Sequence, residues 1–107
     1  MNFFICYDIT EDKRRTRLAR LLEREGCKRV QKSVFFAANF ERSEMLRLKT
    51  KVDKLFKPPQ GQSNESDNIM DSVMYVPLEN DYVAEVVWQG NTEGWCALLE
   101  KIHGKVL

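Results

Sequence analysis

Phe3-Phe4-Ile5-Cys6-Tyr7-Asp8-Ile9-Thr10 is the stretch on which the reading of this chain turns. Five apolar residues in succession describe a strand covered on both faces, since a strand with one wet face would alternate. The run ends at a lone acid, Asp8. Thr10 follows as the expected N-cap of a helix, with Glu11 and Asp12 placed to favour its positive end. Lys13, Arg14, Arg15, Arg17, Arg20 and Arg24 make that helix basic, while Leu18, Leu21 and Leu22 supply a narrow apolar stripe. Gly26 stands where helices commonly stop, so the helix is expected over 11–25. At about 100° per residue, Arg14 and Arg15 lie within roughly 60° of Leu18, on the turn nearest Asp8. A carboxylate at a strand tip facing guanidinium groups suits a metal ion held near phosphates, and so points toward nucleic acid.

Beyond Gly26, residues 28–40 form a second β-rich run, too long for one ordinary strand. A break near Lys32-Ser33 is expected, giving two strands or one strongly bent one. Residues 41–56 carry Met45, Leu46, Leu48, Val52, Leu55 and Phe56 at helical spacing, and Pro58-Pro59 ends that helix. Residues 58–68 are polar and rich in breakers, which predicts a flexible loop. Residues 69–78 read as a strand closed by Pro77, and residues 82–88 as a further strand. Residues 92–103 have Trp95, Leu98, Leu99 and Ile102 on one side and predict a short helix.

The order strand, helix, strand, strand, helix, strand is that of the ferredoxin-like βαββαβ sandwich. The predicted fold class is therefore α+β, with an extra C-terminal strand. Residues 1–88 make the domain and 89–107 a tail. Two helices cover one face of such a sheet, yet both faces of the first strand are apolar. Either the C-terminal segment folds back on the second face or a partner subunit covers it. A twofold homodimer is the favoured answer, because that is the commonest closed symmetry.

Length and composition bound the rest. One domain fits 107 residues, with a modest core. The net charge of +1 is uninformative, but residues 1–32 hold nine Lys and Arg against five Asp and Glu, so the N-terminal third is the basic side. Cys6, Cys27 and Cys96 are dispersed and odd in number, which argues against a disulfide framework or a zinc site. His103 stands alone and reads as structural. The start lacks the charged segment of a signal peptide, and no apolar stretch is long enough to span a bilayer, so a cytoplasmic protein without membrane contact is expected.

Tyr7-Asp8-Ile9, Arg15-x-Arg17, Gly26 and Arg29-Val30-Gln31-x-Ser33-Val34-Phe35, followed by Asp71-Ser72-Val73 and Pro77-Leu78, together resemble the small CRISPR-associated Cas2 family over about residues 2–88. The resemblance implies a ferredoxin-like homodimer in which Asp8 of each copy lies near the twofold axis. It implies that the two copies share one Mg²⁺ or Mn²⁺ ion. Metal-dependent cleavage of RNA or double-stranded DNA follows from it, as does a bridging role between two copies of the CRISPR integrase, Cas1, during spacer acquisition. Asp8 is then the catalytic and metal-binding residue. Tyr7, Arg15, Arg17, Arg29 and Phe35 fall on the family's other motif positions. The strand at 82–88 would pair with the other subunit's sheet.

The residues themselves leave alternatives open at each position. Asp8 could cap the helix. Arg14, Arg15 and Arg17 could contact phosphate, as could Arg29, or could make exposed ion pairs such as Glu11 with Arg15. Tyr7 and Phe35 could support the site, stack on bases or pack in the core. Mg²⁺ keeps several waters and takes one or two carboxylates plus substrate oxygens, so a pair of Asp8 side chains would be the minimum donor set. With no second acid or histidine in the motif, turnover is expected to be slow. A catalytically silent DNA-binding adaptor and a toxin-like ribonuclease are the alternative functions, and a small-molecule regulatory domain is a fourth.

Overall fold

The computed structural model describes residues 1–56 and 70–91. Four strands and three helices follow one another as β1 (Asn2–Asp8), α1 (Asp12–Arg24), β2 (Lys28–Gln31), β3 (Val34–Ala37), α2 (Arg42–Phe56), β4 (Ser72–Leu78) and a short α3 (Asn80–Val83). The sheet order is β2-β3-β1-β4, with every neighbouring pair antiparallel. This is the ferredoxin-like arrangement expected from the element order. The long β-rich run breaks at Lys32-Ser33, as its length required, and a register shift between Arg29 and Gln31 adds a local irregularity.

The pleat sorts β1 into two sets. Phe3, Ile5 and Tyr7 face the helices, where they join Phe35 and Ala37 of β3, Leu18, Leu21 and Leu22 of α1, and Leu48 and Val52 of α2. Phe3 packs edge-on against Phe40 at 5.6 Å between ring centroids, and Tyr7 stacks on Phe35 at 6.2 Å. Full burial of such side chains contributes about 1.5–3 kcal/mol each, and this is the main core. Phe4, Cys6 and Asp8 point to the other face. They share it with Val34 and Phe36 of β3 and with Ser72, Met74 and Val76 of β4, their register partners.

Helix α1 ends as Gly26 predicts. The Cys27 N–H donates to Leu22 O (2.9 Å) and the Gly26 N–H to Glu23 O (3.1 Å), with Gly26 at φ +93°. This pair of bonds is the Schellman closure, which needs the left-handed backbone that glycine adopts without penalty. Cys27 is buried behind this turn, and burial, reinforced by the Glu25 carboxylate, pushes its thiol up to about 12. It is an inert core residue, as expected for a thiol outside any ligand pattern.

Two sequence expectations need correction. Thr10 is not the N-cap. Glu11 occupies that position and makes no side-chain cap bond, because the Thr10 N–H is held by Asp71 instead. Residues 82–88 are not a strand. The chain turns into α3 directly after β4, with Asp81 in its first turn, and then runs on as an irregular segment. The physical reason is the apolar second face. Val83 is fully buried there against Phe36, with Phe4, Val30, Leu78, Val86 and Trp88 packed around them. A strand would have left that cluster open and needed a free ladder edge. The buried Asn2 holds this fold-back in place: its amide donates to Asn80 Oδ1, and its oxygen accepts the Asn39 N–H at 2.8 Å. β4 ends at Leu78, where the sequence reading ended it, and carries Pro77 next to its last residue. An edge strand tolerates proline because it has an outward side without ladder partners. The loop at 58–68, the predicted helix at 92–103, Trp95, Cys96 and His103 lie outside the described residues.

Candidate functional site

Asp8 is the last residue of β1 and the Cα partner of Ser72 at the start of β4. Its side chain is exposed on the second face and has no hydrogen bond or ion pair among the described residues. It does not cap α1. Among the described residues, 83–88 cover one end of the second face. Toward Asp8, Met74 (58% exposed) and Val76 (37%) remain open on the same face. An unshared, exposed carboxylate next to open apolar surface is thus the chemical character of this end of the sheet. Among the described residues no three His, Cys, Asp or Glu side chains cluster, so one chain offers Asp8 as a single donor.

The four nominated arginines are dispersed. Arg14 donates from Nη1 to Asp71 Oδ2 at 2.8 Å and lies 3.8 Å from the Glu11 carboxylate. Arg15 is ion-paired with Asp12 and donates to the Ile9 carbonyl at 3.3 Å. The expected Glu11–Arg15 pair is therefore replaced by two (i, i+3) pairs, Glu11–Arg14 and Asp12–Arg15. Arg17 points elsewhere. With Arg20, Arg24, Glu23, Leu21, Leu55 and Lys51 it lines an open groove of about 800 Å³ between α1 and α2. Lys51 also pairs with Glu25 across that groove.

Arg29 lies on the helix-side face, opposite Phe35 in the register, and its guanidinium carbon sits 5.1 Å from the Phe35 ring centroid. Tyr7 and Phe35 belong to the core. Phe35 is fully buried, Tyr7 is 6% exposed, and the Tyr7 hydroxyl donates a long bond to the Lys32 carbonyl at 3.4 Å. Neither ring is open to a base. Within one chain the strand therefore separates Asp8, on one face, from Tyr7, Phe35 and Arg29, on the other.

Reading the sequence placed Asp71 in a family motif but gave it no role. Its side chain is fully shielded from solvent, and both oxygens are used: Oδ1 accepts the Thr10 N–H at 2.9 Å and Oδ2 accepts Arg14. Burial alone would raise its carboxyl. The Thr10 backbone, the Arg14 guanidinium and the Thr10 hydroxyl outweigh that and hold it below the usual carboxylate range. A signal was present. The ferredoxin-like order pairs the first and last strands antiparallel, so an acid just before β4 must arrive beside the end of β1.

The sequence matches the family described as CRISPR associated protein Cas2 across residues 1–86. A CRISPR-associated endoribonuclease Cas2 2 of Synechocystis sp. is 58% identical over 36 residues, which is 33% of this chain and 38% of that relative, so the aligned stretch spans well under half of the curated protein's length. Among solved structures, Cas2 of Streptococcus pyogenes at pH 6.5 superposes with a TM-score of 0.64 at 23% identity, covering 84% of this chain and 100% of that one; it supports the fold. A hypothetical protein of Thermus thermophilus, TT1823, gives 0.56 at 27% identity over 73% of this chain and 80% of its own. A chain of a partial Cas6-RT-Cas1–Cas2 complex gives 0.63 at 25% identity, over 87% of this chain and 88% of its own. With a match that runs from the first residue of β1 past the end of α3, the chain belongs to the CRISPR-associated Cas2 family.

Proposed function

We propose that this protein is a CRISPR adaptation subunit that works as a homodimer with Cas1, and that its Asp8 pair carries metal-dependent cleavage of a phosphodiester. The observation that carries this reading is Asp8 itself. It ends β1 exposed, unpaired and on the half of the sheet face that α1, α2 and residues 83–88 leave open. A second copy seated on Met74 and Val76 would bring a second Asp8 to the same region. Partnership with Cas1 is supported by the likeness to a chain of a Cas1–Cas2 complex, and an RNA substrate by the short match to an endoribonuclease; double-stranded DNA is the other substrate of this class.

The donor chemistry fits Mg²⁺ or Mn²⁺. Carboxylate oxygens are the hard ligands these ions take, and an acid already tied up by an arginine or a helix end would not serve. Two Asp8 side chains would hold the ion, with water and the phosphate completing its shell. When bound, the ion lowers the pKa of a water and offsets the charge that grows on the phosphodiester. The chain's own part is to present Asp8 from the end of a central strand. The test is cleavage of RNA and of duplex DNA with Mg²⁺, with Mn²⁺ and with EDTA, on the wild type and Asp8→Ala. Asp8→Ala is expected to cut no faster than the EDTA control while staying dimeric by light scattering. Metal-dependent cleavage that survives the substitution overturns the assignment.

One observation favours a second reading, an adaptor that binds nucleic acid without cutting it. Asp8 is a single acid, while Arg17, Arg20, Arg24 and Lys51 line a groove in which they outnumber its one lining acid, Glu23. Salt-sensitive binding with no cleavage in any metal would select this reading.

A further inference from the structure

We propose that Asp71 is a positioning residue for Asp8, and that Arg14 belongs to the same clamp rather than to a phosphate-binding surface. The inference rests on the reading of Asp8 given above and names what holds that residue in place. Asp8 is fixed from two sides by one short piece of chain. Ser72 faces it across the β1–β4 ladder, and Asp71, the residue before, reaches past it to Thr10 and Arg14. Thr10 is two residues beyond Asp8 and opens the turn into α1. Ile9, between them, is buried, and its carbonyl accepts from Arg15. The turn that follows Asp8 is therefore pinned at consecutive residues.

The chemistry of the pair is specific. A shielded carboxylate that accepts from a backbone amide and a guanidinium makes two charge-assisted bonds with different partners, one on each oxygen. As whole residues both are partly exposed, so the pair is held by the geometry of its two hydrogen bonds rather than by deep burial. The pairing also neutralises Arg14 at the strand end that bears Asp8. Asp71 touches neither substrate nor ion in this assignment. It acts through the turn.

Asp71→Asn preserves size and one acceptor but removes the charge that holds Arg14. Arg14→Gln removes the cation. Each single variant, and the double variant, is compared with wild type in four readouts: kcat and KM for metal-dependent cleavage, the salt dependence of nucleic-acid binding, the hydrogen-exchange rate of the Thr10 amide, and unfolding in urea to confirm a folded protein. The expected result is a roughly tenfold fall in kcat for each single variant with KM unchanged, and a double variant no worse than either. Thr10 exchange is expected to accelerate severalfold in Asp71→Asn, and the salt slope is expected to match wild type in Arg14→Gln. A salt slope that falls by about one in Arg14→Gln makes Arg14 a phosphate contact and overturns the clamp. Losses that multiply in the double variant, or wild-type kcat in Asp71→Asn, overturn it too. Asp8→Ala serves as the control: cleavage that survives it sinks the Asp8 assignment, whereas the Thr10 exchange rate and the Arg14 salt slope still decide the clamp by themselves.

Discussion

Single residues in this protein divide by whether their side chains are already spoken for. Phe35 lies on a family motif position, yet it is fully buried between Tyr7 and the Arg29 guanidinium. Phe35→Ala is expected to cost about 3–5 kcal/mol in urea unfolding, so any loss of activity in that variant reports on the fold. Asp8 is the opposite case, exposed and unpaired, and its replacement is expected to leave stability within about 0.5 kcal/mol. Asp71 titrates with a sign that can be worked out. Its carboxyl is held lower in the folded chain than in the unfolded one, where it sits near the ordinary value of about 3.9. Its contribution is complete above that unfolded value and drains away as the pH falls through the folded one. The acid limb of a urea-midpoint profile is therefore expected to be shallower below about pH 4 in Asp71→Asn than in wild type. Identical acid limbs would show that Thr10 and Arg14 do not hold this carboxylate in solution.

At the scale of elements, the decisive event is the choice made after β4. Residues 82–88 have the composition of a strand, and their isolated pattern reads as one. Asn80 and Asp81 start a helical turn instead, Asn2 ties Asn80 down, and Val83, Val86 and Trp88 fall onto the sheet. Burial of apolar surface outweighs local β preference here. Val83→Ala removes two methyl groups from a fully buried position. At about 0.8 kcal/mol per buried carbon it is expected to destabilise the chain by about 1.5 kcal/mol, read from the urea midpoint. A variant as stable as wild type would mean that this segment lifts off the sheet in solution. α1 makes the matching point at its own end: Gly26 terminates it through backbone bonds that depend on a positive φ, a local cause that needed no tertiary context.

For the whole molecule, the second face sets the question. One end of it is closed by residues 83–88, and the other end presents Met74 and Val76 beside Asp8. The proposed dimer uses that open end. Met74→Glu puts a charge into the proposed contact without touching the helix-side core, so it is expected to halve the mass seen by light scattering and to abolish cleavage, with little change in urea stability per chain. A dimeric mass for this variant would place the subunit contact elsewhere. The helix side of the molecule has a separate character, since Arg17, Arg20 and Arg24 gather over the α1–α2 groove while Arg14 and Arg15 are matched to acids of the turn.

The unbroken apolar run of β1, the stripe of Leu18, Leu21 and Leu22, the breaks at Gly26 and Lys32-Ser33 and the resulting βαββαβ order were all legible in the chain, because hydrophobic pattern and backbone conformational preference are local properties. The residues of the Cas2 motif were legible too, as residues. Their roles were not. Which face Asp8 shares, and that Arg29 and Phe35 lie across the sheet from it, depends on strand register. That Arg14 meets Asp71 depends on a pairing between residues 57 positions apart. Whether residues 82–88 extend or fold back was settled by an apolar surface that exists only once the sheet has formed. Local pattern specifies the elements; the partner of a charge, and the cover of a face, are decided by long-range contacts that no short stretch of sequence contains.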